Sequence, residues 1–504
     1  MRTFAKSVAI ITAFAIATRA IGFVFRIFLS RIMDPELLGA YSLALSVFTV
    51  FLTVVASGLP LAISKRVATN LRRGVVTAGL VISIVTAVLC CAVVFLLGDV
   101  LTPVFGSGRC VPILIALLPS TIAAGVYCTL RAVWWGEKRF FLLGLTELLD
   151  QILRVVTFAV MLGFAFFFVD LAEVAAISYT VAFFIAAAVV IVIYIKISLL
   201  GQARGGSGGN APKPEQYKPI LKSAVPITLV RVISSITIPI ISVLIIKRLV
   251  ACGWDNRAAM SAFGILMGMT MPMLGIPQTI IGSLSTALVP DISKHYADKN
   301  TAHVTRQIGN ALKFTLFVNF LLIPVYMGLG LGIGLFVFDN SQSGIYISHF
   351  AWAMIPMSIS SITTAILNSL GAETRAMKHY FLGAVFLFAA IWFLPQFIDM
   401  GALVVGIGLC MIIAGALNLF LIQKLTCPNI IAKTIFQLLV FTAVAAPCAL
   451  LGNFLFGILT HFFGLAPLWL LATLFVCGTI TMAVFMILCH VFNIITFNYF
   501  KLRS

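Results

Sequence analysis

Apolar runs of about 20 residues or more follow one another along nearly the whole chain. A helix of that length crosses the ~30 Å hydrocarbon core of a bilayer. Backbone N–H and C=O groups find no water there, so only helices or closed barrels can span it. Period-two alternation of the kind a barrel strand needs is absent from the sequence. The runs therefore predict an all-α polytopic membrane protein. With 62% of its residues apolar and 10% charged, the chain carries more apolar surface than a water-soluble fold could hide.

Fourteen transmembrane helices are expected, at about 8–30, 39–63, 76–98, 111–131, 146–168, 174–196, 220–246, 259–289, 308–334, 347–370, 379–397, 401–423, 434–458 and 466–494. Met1–Lys6 resembles the charged start of a signal peptide. The run behind it contains Arg19 and Arg26 and lacks a clear cleavage site, so it reads as an uncleaved first span. With the N-terminus inside, the cytoplasmic segments hold most of the basic residues, among them Lys65, Arg66, Arg72, Arg73, Arg131, Lys138, Arg139, Lys294, Arg375 and Lys424. The opposite loops hold only Arg31, Arg109, Lys247, Arg248 and Arg257. The positive-inside rule then places both termini in the cytoplasm. The net charge of +18 has the same origin, and with no soluble domain to present it, nucleic-acid binding is excluded.

Gly201 to Asn210 is rich in Gly and Ser, and Pro212 and Pro214 follow. Such a composition makes a flexible linker. It divides an N-terminal six-helix half (1–200) from a C-terminal six-helix half (220–424), with a linker at 201–219 and two additional helices over 425–504. Internal similarity supports the division. Pro60 followed by Ile63-Ser64-Lys65 is echoed by Pro290 followed by Ile292-Ser293-Lys294, and Gly136-Glu137-Lys138-Arg139 by Gly371-Ala372-Glu373-Thr374-Arg375, with the members of each pair about 230–235 residues apart. Six spans per half give both repeats the same orientation, which predicts two parallel repeats with a site between them.

Charges within the spans are the candidate site residues, because a charge at the bilayer centre costs about 2.5–3.5 kcal/mol on insertion scales. Arg19 and Arg26 are seven residues apart, which puts them on one helix face about 10 Å apart along the axis. Together with Arg231, the counterpart of Arg19 in the second half, they suggest a cationic cavity for an anionic substrate. Guanidinium suits bidentate recognition of phosphate. Glu147, Asp150 and Arg154 share one side of span five. Asp150 and Arg154 are spaced as an i,i+4 ion pair, structural or serving to couple a cation such as H⁺ or Na⁺. Pro226, Pro239, Pro272 and Pro277 are candidate hinges. The ten cysteines show no C-x-x-C, the six histidines no metal-ligand spacing, and there is no P-loop or HExxH. No metal and no cofactor are expected, nor an enzymatic activity.

Thr18-Arg19-Ala20-Ile21-Gly22-Phe23 with Arg26 to Arg31, Gly58 to Lys65, Gly282 to Ser293, and Asn368-Ser369-Leu370-Gly371 together resemble the stage V sporulation protein B-like polysaccharide transporters. These belong to the multidrug/oligosaccharidyl-lipid/polysaccharide (MOP) exporter superfamily and are related to the lipid II flippases. The resemblance spans nearly the whole chain. It implies a MATE-like fold and a flippase of undecaprenyl-pyrophosphate-linked saccharides for peptidoglycan, spore cortex or another envelope polymer. It also implies that Arg19 and Arg26, and by the repeat Arg231, hold the pyrophosphate while the lipid tail stays among membrane lipids. A monomer suffices, since the pathway needs only one chain. The alternatives are a cation-coupled multidrug exporter on the same fold and a non-transporting scaffold for cell-wall synthesis.

Overall fold

The structure is a computed structural model that describes residues 2–68, 74–105, 108–163, 170–202, 217–426, 429–464 and 466–492. Every regular element among them is helical. Most of the expected linker lies outside the described residues. The chain forms two compact units, Met1–Gly264 and Ile265–Ser504.

The first unit contains α1 (Arg2–Ile32), α2 (Pro35–Ala56), α3 (Gly58–Ala68), α4 (Val75–Phe105), α5 (Cys110–Leu117), α6 (Ser120–Gly136), α7 (Phe140–Leu162), α8 (Leu171–Gln202), α9 (Tyr217–Ala251) and α10 (Asn256–Gly264). The helix break at Ser57 has a local cause. Pro60 has no N–H to give the carbonyl of Ala56, so the ladder lapses and restarts as α3. Gly58 at the break faces the Ala224 carbonyl and Thr228 of α9, where no Cβ would fit. α1 lies along α7 through aromatic edges: Phe14 meets Phe141 at 5.6 Å and Phe25 meets Phe158 at 5.5 Å. Gly144 makes room there for Phe14.

The second unit contains α11 (Met271–Leu274), α12 (Ile276–Ala297), α13 (Thr301–Phe338), α14 (Ser341–Phe350), α15 (Met354–Ser369), α16 (Glu373–Phe393), α17 (Pro395–Ile398), α18 (Gly401–Leu425), α19 (Ile430–Phe463) and α20 (Pro467–Val491). α13 is its central post. Gly330 and Gly334 admit the backbone of α14, and Gly328 admits that of α19. A stack of rings, Phe320 on Phe441 at 5.6 Å and Phe441 on Phe485 at 6.3 Å, ties α13 to α19 and α20. The two additional C-terminal helices thus belong to this unit.

Among the described residues, twelve helices are long and apolar enough to cross a membrane, or thirteen if the bent pair around Gly275 counts as one span. That is one short of the expected fourteen. The helix that makes the difference is α7. Its 23 residues are enough for a crossing, but Glu147, Asp150 and Arg154 fall together in it. The bend at Gly275 measures 47°. It lies between Pro272 and Pro277, and a π-helical turn over Ile265–Thr270 precedes it. Each proline removes a helix hydrogen bond, and a π turn loosens the winding beside them. By contrast, α9 runs unbroken through Pro226 and Pro239.

The turns that enter α7 and α16 share a backbone feature. Lys138 (φ 58°) and Gly371 (φ 73°) take the left-handed conformation two residues before their helices begin. The two turns align on these residues rather than on Gly136 and Gly371.

Candidate functional site

A cavity of about 470 Å³ opens inside the first unit, walled by α1, α2, α3, α6, α7 and α8. Four charged residues, Arg131, Glu147, Asp150 and Arg154, line it. The Arg154 guanidinium donates from Nη2 to Asp150 Oδ2 at 2.7 Å. The same group lies over the rings of Tyr179 (4.4 Å) and Phe183 (4.8 Å). A carboxylate and two π faces thus share one cation, which offsets part of its lost hydration. Arg131 Nη2 donates to the Leu143 carbonyl at 2.8 Å and to Glu147 Oε2 at 3.3 Å, and stands 4.9 Å from the Tyr127 ring. The Tyr127 hydroxyl donates to the Thr146 carbonyl at 3.0 Å, pinning α6 to α7 beside the charges.

This network is not saturated. Asp150 Oδ1, Arg154 Nε and Arg131 Nε are buried and lack a hydrogen-bond partner. Leaving a buried polar atom unpaired costs about 1–3 kcal/mol, more when it is charged.

A second cavity in the same unit, of about 480 Å³, is lined by Arg231, Ser234 and Ser235 of α9 and by Leu52, Thr53, Ala56 and Ser57. Leu52 and Ala56 also line the first cavity, so one stretch of α2 forms a wall of both. Arg231 is exposed. The Thr53 hydroxyl donates to the Thr49 carbonyl at 2.7 Å and the Ser235 hydroxyl to the Val232 carbonyl at 2.9 Å. With their protons committed within the helices, these oxygens present acceptors. Ser57 Oγ is buried and has no hydrogen-bond partner. The cavity thus combines a guanidinium, suited to an anion, with hydroxyl oxygens suited to ligand O–H groups.

Arg19 and Arg26 are both exposed on the continuous α1. Helical spacing places them roughly a quarter turn from the stripe of Phe14, Gly22 and Phe25 that packs on α7. All three arginines, and the Glu147–Asp150–Arg154 group, lie in the first unit.

The family model described as "Polysaccharide biosynthesis protein" matches residues 4–295. The chain belongs to this polysaccharide biosynthesis family. Stage V sporulation protein B of Bacillus subtilis (strain 168) is 24% identical over 394 residues, covering 76% of each chain. Sporulation protein YkvU of the same strain is 22% identical over 329 residues, covering 63% of this chain and 71% of its own. Among solved structures, the lipid II flippase MurJ in an inward closed conformation superposes with a TM-score of 0.68 at 15% identity, over 96% of this chain and 100% of that one. An inward-facing multidrug resistance MATE family transporter of the MOP superfamily gives 0.63 at 17%, over 84% and 99%. The fold is therefore that of the MOP superfamily. The solved structures it superposes on are a membrane transporter and a lipid flippase.

For this family member, sequence reasoning missed one site residue and one cluster. Arg131 reads as a loop cation that sets topology, yet it stands inside α6 and pairs with Glu147 across the α6–α7 turn. Its place five residues before Gly136, still within an apolar run, was the available signal. The histidines look scattered, with no metal spacing, but the α12–α13 turn stacks His295 on His303 with ring centres 3.8 Å apart, both beside Asp291. A turn brings together residues that no helical periodicity links.

Proposed function

We propose that this protein is a flippase of undecaprenyl-pyrophosphate-linked saccharides that works by alternating access. The observation that carries the reading is the Arg231 cavity, where a guanidinium stands among hydroxyl acceptors. A pyrophosphate needs cationic donors, and the hydroxyls of a sugar need acceptors. Arg231, with Arg19 and Arg26, takes the pyrophosphate; Thr53, Ser57, Ser234 and Ser235 face the saccharide. The lipid tail stays in the bilayer, so the protein needs to shelter only the headgroup. Membership of a polysaccharide biosynthesis family and a fold shared with a lipid II flippase agree with this assignment. The protein acts as a monomer with both termini in the cytoplasm. Pro272 and Pro277, at the 47° bend, are the hinge positions. The Glu147–Asp150–Arg154 group couples H⁺ or Na⁺ to the cycle through the spare oxygen of Asp150.

The test is flipping of a labelled undecaprenyl-pyrophosphate saccharide in proteoliposomes. Wild type should be active and Arg19→Ala and Arg231→Ala impaired; full activity in both variants would sink the assignment.

One observation favours a second reading, a cation-coupled drug exporter. Asp150 sits in a largely apolar cavity with Tyr127 and Phe183 on its walls, a setting that suits a lipophilic cation. Resistance to such cations on overexpression, abolished by Asp150→Asn, would select that reading.

A further inference from the structure

We propose that Asp291, His295 and His303 form a binding site for a divalent transition-metal ion of the Zn²⁺ class, which clips α12 to α13. The site is separate from both cavities and does not depend on the transport reading. Asp291 and His295 are one helical turn apart near the end of α12, and His303 lies in the first turn of α13. The carboxylate serves both rings: Oδ2 is 3.1 Å from His303 Nε2, and Oδ1 is 3.4 Å from His295 Nδ1. One atom from each of the three side chains lies within 4.8 Å of the others. Tetrahedral ligands at Zn²⁺ bond lengths stand roughly 3.3 Å apart, so a modest contraction would close the shell.

The surroundings prepare the ligands. His295 Nδ1 is 2.9 Å from the Asp291 backbone carbonyl. A carbonyl can only accept, so Nδ1 carries the proton in the metal-free protein; a metal entering beside the carboxylate moves that proton to Nε2 and takes the Nδ1 lone pair. Asn300 caps α13, its Oδ1 accepting from the His303 N–H at 3.2 Å, and Lys299 takes a left-handed φ of 55° in the turn. These contacts set the third ligand against the first two. All three side chains are partly exposed, so an ion can reach them. Two imidazoles and one carboxylate leave a fourth position for water and suit Zn²⁺ or Co²⁺ better than Ca²⁺ or Mg²⁺, which prefer oxygen.

Full-length protein in detergent, stripped with a chelator and titrated with Co²⁺, is expected to take up one equivalent, develop visible absorption, and lose it to Zn²⁺. Asp291→Asn and the double variant His295→Ala/His303→Ala should each weaken uptake at least about 10-fold while remaining monodisperse. No uptake by the wild type, or undiminished uptake by the double variant, overturns the site. If the variants do not fold, the wild type decides. Zn²⁺ should shield His295 and His303 from diethyl pyrocarbonate, read by peptide mass, while His349 and His379 serve as internal references. Equal labelling with and without Zn²⁺ overturns the assignment.

Discussion

The two units handle polar groups inside the membrane in opposite ways. The first concentrates charge: Arg131, Glu147, Asp150 and Arg154 in one cavity, Arg231 in another, Arg19 and Arg26 along α1. The second relies mainly on neutral groups, with Lys313 the one cation well inside a described span. Asn319, fully buried, donates to the Thr315 carbonyl at 2.7 Å and accepts from Ser358 at 3.0 Å. Asn418, also fully buried, donates to Thr363 and Thr364 at 3.2 and 3.1 Å and accepts from His379 at 2.8 Å. Aligned from their first residues, α7 and α16 make the contrast directly. The positions of Glu147, Asp150 and Arg154 fall on Tyr380, Gly383 and Leu387. Where α7 borders a cavity, Gly383 lets α16 close on the Cys410 carbonyl of α18.

The asparagine networks are satisfied, while the charged one leaves three buried atoms without partners. A satisfied neutral network fixes helices in place, whereas a charged and unsaturated one holds energy that a ligand could release. The contrast is between a first unit whose buried charges border cavities and a second whose buried polar groups are neutral and paired.

Breaking the buried pair should have the largest effect. Arg154→Leu strands Asp150 and is expected to cost about 3–5 kcal/mol of stability, read by thermal unfolding in detergent, with Asp150→Asn/Arg154→Leu recovering most of it. If the single variant is as stable as wild type, the pair does not hold α7. Next comes Arg231→Ala. Loss of a charge-assisted contact of about 1.5–3 kcal/mol should lower flipping roughly 10–100-fold, with Arg231→Lys in between. The second unit should respond differently. Asn418→Ala is expected to lower stability by about 1–3 kcal/mol through its stranded partners, with flipping per folded molecule unchanged. A selective loss of flipping there would erase the contrast between the units. Gly383→Ala should cost about 1–3 kcal/mol, since its methyl meets the Cys410 carbonyl, whereas alanine at the open Gly457 should be tolerated. The smallest effect is expected for Arg131→Gln. Glu147 is half exposed, so their pair is worth no more than about 1 kcal/mol, and a larger loss would show that Arg131 anchors the cavity through Leu143.

Local spacing made some of the site legible. Asp150 and Arg154 are four residues apart in a helix, so their pairing follows from periodicity, and the isolated arginines stood out against the apolar runs. Arg131 and Glu147 were not legible as a pair, because their contact depends on how α6 and α7 lie across a turn. The likeness of the turns that enter α7 and α16 is set in register by the left-handed residues Lys138 and Gly371, which no local pattern marks. Pro272 and Pro277 were recognisable as breakers, as were Pro226 and Pro239. Which pair accompanies a bend depended on packing and on the π turn beside the first.

The sequence by itself determined the class: an all-helical membrane protein, with charges placed where a bilayer penalises them. That information is one-dimensional, since hydropathy and helical period act along the chain and need no partner. Only the tertiary structure decided which charges share a cavity, that one wall of α2 serves two cavities, and that two histidines stack beside Asp291. Those are contacts between helices, and they arise from side-chain shape and close glycine packing across distances that no local pattern encodes.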